Sequence, residues 1–152
     1  MRSAELKIGR TFCLAMEDGD DFFKELARFC EENKIKQAYL PGFIAGFSKV
    51  RLVGRQDAQV DDLKAPVWEV VEIINVEAIG AGTIALDGEK KFSPHIHVSV
   101  GKKFADAQAY TSHLLYAEVI FLAEMIIIEI TEPILTRLPT TDSYGLNLLQ
   151  FK

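Results

Sequence analysis

Between Asp18 and Lys34 the chain reads DGDDFFKELARFCEENK, and Phe23, Leu26, Ala27 and Cys30 recur at i, i+3, i+4 and i+7. That is the period of a helix with one apolar face. Asp18 or Asp20 is placed to cap its first amides, acidic residues crowd its first turn, and Asn33 with Lys34 suits its end. The rest of the pattern has strand character. RTFCLAME precedes the helix, and QAYLPGFIAGF and SKVRLVGR come after it as short apolar runs broken by Gly42, Gly46 and Gly54, which predict tight bends or close backbone approach. A phosphate cradle at PGFIAGF would need a helix directly after it, and SKVRLVGR, the next segment, looks like a strand. The polar QDAQVDDLKA reads as a surface loop.

Beyond it, WEVVEIINVEAIGAGTIALDGEK scatters Glu69, Glu72 and Glu77 through β-branched residues, and Asp87-Gly88 offers a hairpin turn. Antiparallel strands are expected, with Trp68 in the core or at an interface. ADAQAYTSHLLY is either a short helix or an irregular loop, and AEVIFLAEMIIIEI, rich in Ile and Val, predicts a long, largely buried strand. The tail TRLPTTDSYGLNLLQF, punctuated by Pro139 and Gly145, ends in an apolar segment suited to an edge strand or to docking on a neighbour. No repeat or linker divides the chain, so residues 1–152 are expected to form a single α+β domain with a mainly antiparallel sheet and one main amphipathic helix.

At 152 residues, 49% apolar and 26% charged, the composition is that of a globular chain able to bury a core without staples. The net charge of −5, spread along the chain, disfavours nucleic acid as a partner. Cys13 and Cys30 lack C-x-x-C spacing and read as two buried structural thiols of a reducing compartment. The start is broken by Glu5, Lys7 and Arg10, and no segment carries eighteen uncharged apolar residues, so the expected setting is the cytoplasm with no membrane partner.

Candidate chemistry gathers in KKFSPHIHVSVGKK, which spans Lys90 to Lys103. In a strand, whose start Pro94 helps to fix, His95, His97 and Ser99 share one face while Ile96, Val98 and Val100 share the other. Residues two apart sit about 6.5–7 Å from each other, a span two imidazoles can close around one ion. His113, the only other histidine, is the candidate third ligand. Three histidines with a fourth position open bind water or a substrate oxygen, and the donor set makes zinc the first choice. The competing reading places all three rings in solvent. Glu118 is a candidate partner or general base, Ser99 a candidate ligand contact, and Lys90, Lys91, Lys102 and Lys103 are either solvated strand ends or a rim for a small anionic ligand. No G-x-G-x-x-G after a strand, Walker loop or G-x-S-x-G elbow is present.

The order of the helix and Gly-rich run DGDDFFKELARFCEENKIKQAYLPGFIAGFSKVRL, then WEVVEIINVEAIGAGTIALDGEKKFSPHIHVSVG, then His113 before a long apolar strand resembles the plants and prokaryotes conserved (PPC) domain family, over about residues 5 to 135. The resemblance implies an antiparallel α+β domain assembled as a homotrimer, with His95, His97 and His113 at the family's histidine positions. It also brings the family's DNA-binding label, although the Arg-Gly-Arg-Pro arm of the plant members is missing here. VWEVVEI stands where those members carry a partner-binding stretch, and Thr111 and Ser112 replace the glycines usual before the third histidine. The resemblance thus implies a trimeric divalent-metal protein with an open three-histidine site. A DNA-binding regulator, or a trimeric scaffold with a purely structural metal, is the alternative.

Overall fold

A computed structural model describes residues 2–55, 66–140 and 143–151. Eight elements succeed one another: β1 (Lys7–Glu17), α1 (Phe22–Glu32), β2 (Ala38–Val53), β3 (Val70–Asp87), β4 (Phe92–Lys102), β5 (Ala109–Glu132), β6 (Leu135–Pro139) and β7 (Asn147–Phe151). β2 lies between β3 and β5, and β4 also pairs with both β3 and β5, so these four antiparallel strands close into a small barrel. β1 extends the sheet along the C-terminal half of β5. β6 runs parallel to the end of β3, and β7 closes the edge against β6.

The helix forms where its period requires, but Asp21 is the N-cap, its carboxylate accepting from the Lys24 amide at 3.1 Å. The two aspartates expected there serve the chain entry instead. Asp18 accepts from the Phe121 amide and Asp20 from the Glu17 amide, which ties the β1–α1 turn to β5. Asn33 is the C-cap, and Lys34 takes the left-handed backbone that ends the helix. Phe22, Leu26 and Cys30 are the buried stripe. Phe22 packs on Phe43 and Phe47 of β2 at ring distances of 5.1 and 5.7 Å.

Several expected boundaries dissolve into longer strands. QAYLPGFIAGF and SKVRLVGR belong to one strand, β2, irregular between Leu40 and Phe43. Gly46 is needed there for close approach, since a Cβ would lie 2.6 Å from the Ile120 carbonyl oxygen. Residues 70–87 are likewise one strand, and Asp87-Gly88 does begin the hairpin into β4, with the Asp87 carboxylate accepting from the Glu89 and Lys91 amides. The loop expected at 56–65 lies outside the described residues.

ADAQAYTSHLLY is neither helix nor free loop: after a turn, residues 109–116 open β5. That strand was expected to be largely buried, yet only alternate residues are. Ala117, Val119, Ala123, Met125 and Ile127 enter the core while Phe121, Leu122 and Ile126 stay exposed. β-Branched content is the same on both faces, so composition alone does not reveal that one is uncovered. Cys13 departs too: both cysteines are free, but Cys13 lies on the exposed face of β1 and only Cys30 is buried.

Candidate metal centre

On β4 the alternation is complete: Ile96, Val98 and Val100 are buried and His95 and His97 are turned away from them. β4 and β5 pair so that His97 stands opposite His113. Register, not chain proximity, delivers the third ring, because the expected loop around His113 is a hydrogen-bonded strand. The three ring centroids form a triangle with sides of 5.1, 4.9 and 5.4 Å. One ring nitrogen from each histidine lies within 4.8 Å of the other two. His95 Nε2 and His97 Nε2 are 3.1 Å apart. Two nitrogens on a tetrahedral ion, each about 2.0–2.1 Å from it, sit about 3.3–3.4 Å apart, so this pair already matches one edge of such a site. The group could hold a metal ion.

For His95 and His113 the electrostatics favour the neutral ring, the form that ligates. Loss of water around His95 brings its pKa down to about 4, with the charge of Arg137 and the other two rings adding to the effect. Desolvation, then His97 and Arg137, lowers that of His113. Arg137 Nη1 donates to His95 Nδ1 at 3.1 Å. A guanidinium has only donors, so a neutral His95 ring carries its proton on Nε2. Were an ion held at Nε2, a neutral ring would carry its one N–H proton on Nδ1 instead, facing the guanidinium.

The histidines open onto a cavity of about 510 Å3 whose walls include Val53, Val67, Trp68, Leu115, Leu146 and Leu148, with Arg137 inside it. Such a volume lies within the range of small-ligand sites.

The PCC (Plants and Prokaryotes Conserved) domain profile matches residues 3–131. The chain belongs to this family. Among solved structures, a PPC protein of Pyrococcus horikoshii superposes with a TM-score of 0.81 at 23% identity, covering 99% of this chain and 97% of its own. A metal-containing protein of Archaeoglobus fulgidus gives 0.78 at 26% identity, with 99% of both chains covered. A candidate DNA-binding protein of Ralstonia eutropha JMP134 gives 0.76 at 21% identity, over 92% of this chain and 90% of its own. No curated protein matches the chain.

Within this PCC fold, other expected participants stand apart from the histidines. Glu118 is bonded to the Ser48 and Tyr116 hydroxyls, five residues along β5 from His113. Ser99 faces Thr111 across the β4–β5 pair and is not part of the cavity wall. The lysines are strand-end residues: Lys91 pairs with Glu89, Lys103 with Glu77 at 2.6 Å, Lys102 lies over the Tyr110 ring and Lys90 sits in the hairpin turn. Trp68 is not core, being 67% exposed at the cavity.

The cation at the site is Arg137, which the sequence reading passed over. Its strand LTRLP looks like tail, and only the pairing of β6 with β3 carries it to the histidines. A lone charge at an inward position between leucines was the available signal. Gly80 and Gly82 were missed as well. A Cβ at Gly82 would meet the His95 carbonyl oxygen at 2.4 Å, and one at Gly80 would meet the Phe43 ring at 2.3 Å and the His97 carbonyl oxygen at 2.8 Å. Bare backbone in β3 lets β4 lie where its histidines meet His113.

Among the described residues no helix is long and apolar enough to cross a membrane.

Proposed function

We propose that this PCC-domain protein binds a divalent metal ion, zinc in the first instance, through His95, His97 and His113, and keeps a coordination position open toward the cavity for a small ligand. The observation that carries this reading is the triangle of imidazoles, 4.9–5.4 Å between centroids, at the wall of a largely apolar cavity. A metal-containing relative of the same fold at 26% identity adds support. A zinc ion there would supply Lewis acidity and a bound water of lowered pKa. The chain's own part is to hold three nitrogens convergent beside an apolar wall of Trp68 and leucines.

The assembly proposed with it is a homotrimer. Exposed Ile44, Ile79, Phe121 and Leu122 gather on the outer face of β2, β3 and β5, and contiguous apolar surface of this kind marks an association site. Light scattering during gel filtration should give three times the chain mass of 17.0 kDa. A purely structural metal would not require a cavity beside it. The net charge of −5 speaks against DNA as partner, and tight, salt-sensitive gel-shift binding would reverse that judgement.

Elemental analysis of untagged protein tests the metal reading, with one ion per chain as the expected result. Zinc at a hundred times its Kd should add about 2.7 kcal/mol of stability. His97→Ala should remove both the ion and this increment. Protein that is metal-free as purified and takes up none on dialysis against zinc would overturn the reading.

A further inference from the structure

Arg137 is 5% exposed, and Nε, Nη1 and Nη2 each donate once: to the Ser93 carbonyl at 3.3 Å, to His95 Nδ1 at 3.1 Å and to the Thr83 hydroxyl at 2.5 Å. All three acceptors are neutral. Among the described residues no carboxylate pairs with it and no acidic residue lines the cavity it faces. Asp87, its register neighbour on β3, is committed to the Glu89 and Lys91 amides. A buried cation without a counter-ion is costly and is ordinarily paired. A guanidinium has five N–H groups, so one remains on each terminal nitrogen, the fork that receives the two oxygens of a carboxylate.

From this we infer that the cavity takes a small monocarboxylate, its anionic group on Arg137 and its hydrocarbon body against Trp68, Leu115 and Leu148. The inference rests on the proposed metal reading only for what lies at the other end of the site. That reading adds a second reason, however. With an ion on His95 Nε2, Nδ1 would carry the proton while Arg137 Nη1 stands 3.1 Å from it, and an anionic oxygen beside both would satisfy two donors that otherwise oppose each other. A phosphate dianion fits less well, because the walls are mainly hydrocarbon.

Trp68 is the only tryptophan in the chain and lines the cavity, so its fluorescence reports occupancy directly. Zinc-treated, untagged protein is titrated with hexanoate, butyrate, hexanamide and inorganic phosphate, and calorimetry checks each Kd. The expected result is saturable hexanoate binding at least about tenfold tighter than hexanamide, the margin of a charge-assisted pair. Each methylene added from butyrate to hexanoate should tighten binding about fourfold. Arg137→Gln should erase the preference for hexanoate over hexanamide while zinc stoichiometry and circular dichroism stay unchanged. If that variant does not fold, the two ligands on the unaltered protein stripped of zinc decide the matter alone, since no ion is then present to take the carboxylate. Equal affinity for hexanoate and hexanamide, or tighter binding of phosphate than of hexanoate, would overturn the inference. Zinc content measured on the same samples separates the two proposals: zinc-free protein that still prefers hexanoate supports the carboxylate site and removes the metal, and zinc-loaded protein without that preference does the reverse.

Discussion

Under the helix, Phe22, Phe43 and Phe47 close on one another, with ring centroids 5.1–5.7 Å from Phe22 and none of its surface left to solvent. At the histidine end, Val53, Trp68, Leu115 and Leu148 are as apolar but surround a space of about 510 Å3. Strand β2 contributes to both regions, Phe43 and Phe47 to one and Val53 to the other, so the difference is not one of composition. It lies in what the side chains meet. Where the apolar groups meet each other they hold the fold; where they leave a gap beside three imidazoles and a buried arginine, they form the wall of the site proposed to receive a ligand.

The sharpest way to break this comparison is to truncate each region in turn. Phe22→Ala removes a fully buried ring on which Phe23, Phe43 and Phe47 all pack, and the expected loss is about 3–5 kcal/mol in urea denaturation. The histidines do not touch this ring, so the fraction that remains folded should take up zinc with unchanged stoichiometry. A loss below about 1 kcal/mol would mean that the helix is not the lid of the core.

The two regions meet in β3. Gly82→Ala puts a methyl group 2.4 Å from the His95 carbonyl oxygen and 2.9 Å from the Ile96 Cα. Backbone must move, and about 1–3 kcal/mol of stability should be lost. Because β4 carries His95 and His97, the same shift should weaken zinc binding. Gly42→Ala is the control, since the nearest atom to its new methyl is the Gly80 carbonyl oxygen at an ordinary 3.8 Å. It should leave both stability and zinc affinity within error.

These glycines also show where sequence reading stops. The helix was legible because a 3.6-residue period survives in Leu26 and Cys30 whatever lies around it. The H-x-H pair was legible because period-two alternation needs no knowledge of neighbours, and the Ile96, Val98, Val100 face is buried as that alternation requires. His113 could be named as the third ring only by elimination and family resemblance, since its position depends on β4–β5 register. Arg137 could not be placed at all: forty residues and two strand pairings separate it from His97. Glu118 looked well placed by sequence distance, which in a 24-residue strand converts to length along the sheet rather than to nearness.

A smaller effect is expected at the helix start. Asp21 caps α1 through the Lys24 amide, and Asp21→Ala should cost about 1 kcal/mol. Asp20→Ala, which removes only a contact to the Glu17 amide in the turn before the helix, should cost less. Equal losses would show that the cap is shared between them. Neither change lies at the cavity, so zinc uptake should not respond.

The smallest effect on folding sharpens the comparison most. Leu148, on β7, is a large apolar residue like those of the core, but it is 41% exposed and turned to the cavity. If the walls of that space were structural, Leu148→Ala would cost the 2–5 kcal/mol of a core truncation. With little surface buried and no partner filling the gap, about 0.5 kcal/mol or less is expected, within the range of surface substitutions. Urea denaturation of Leu148→Ala beside Phe22→Ala makes the contrast directly. Zinc uptake should be unaltered, because Leu148 offers no ligand atom and β7 pairs only with β6. A core-sized loss would mean that the cavity is a loosely packed extension of the core, and the distinction between a wall that holds the fold and a wall that receives a ligand would fall with it.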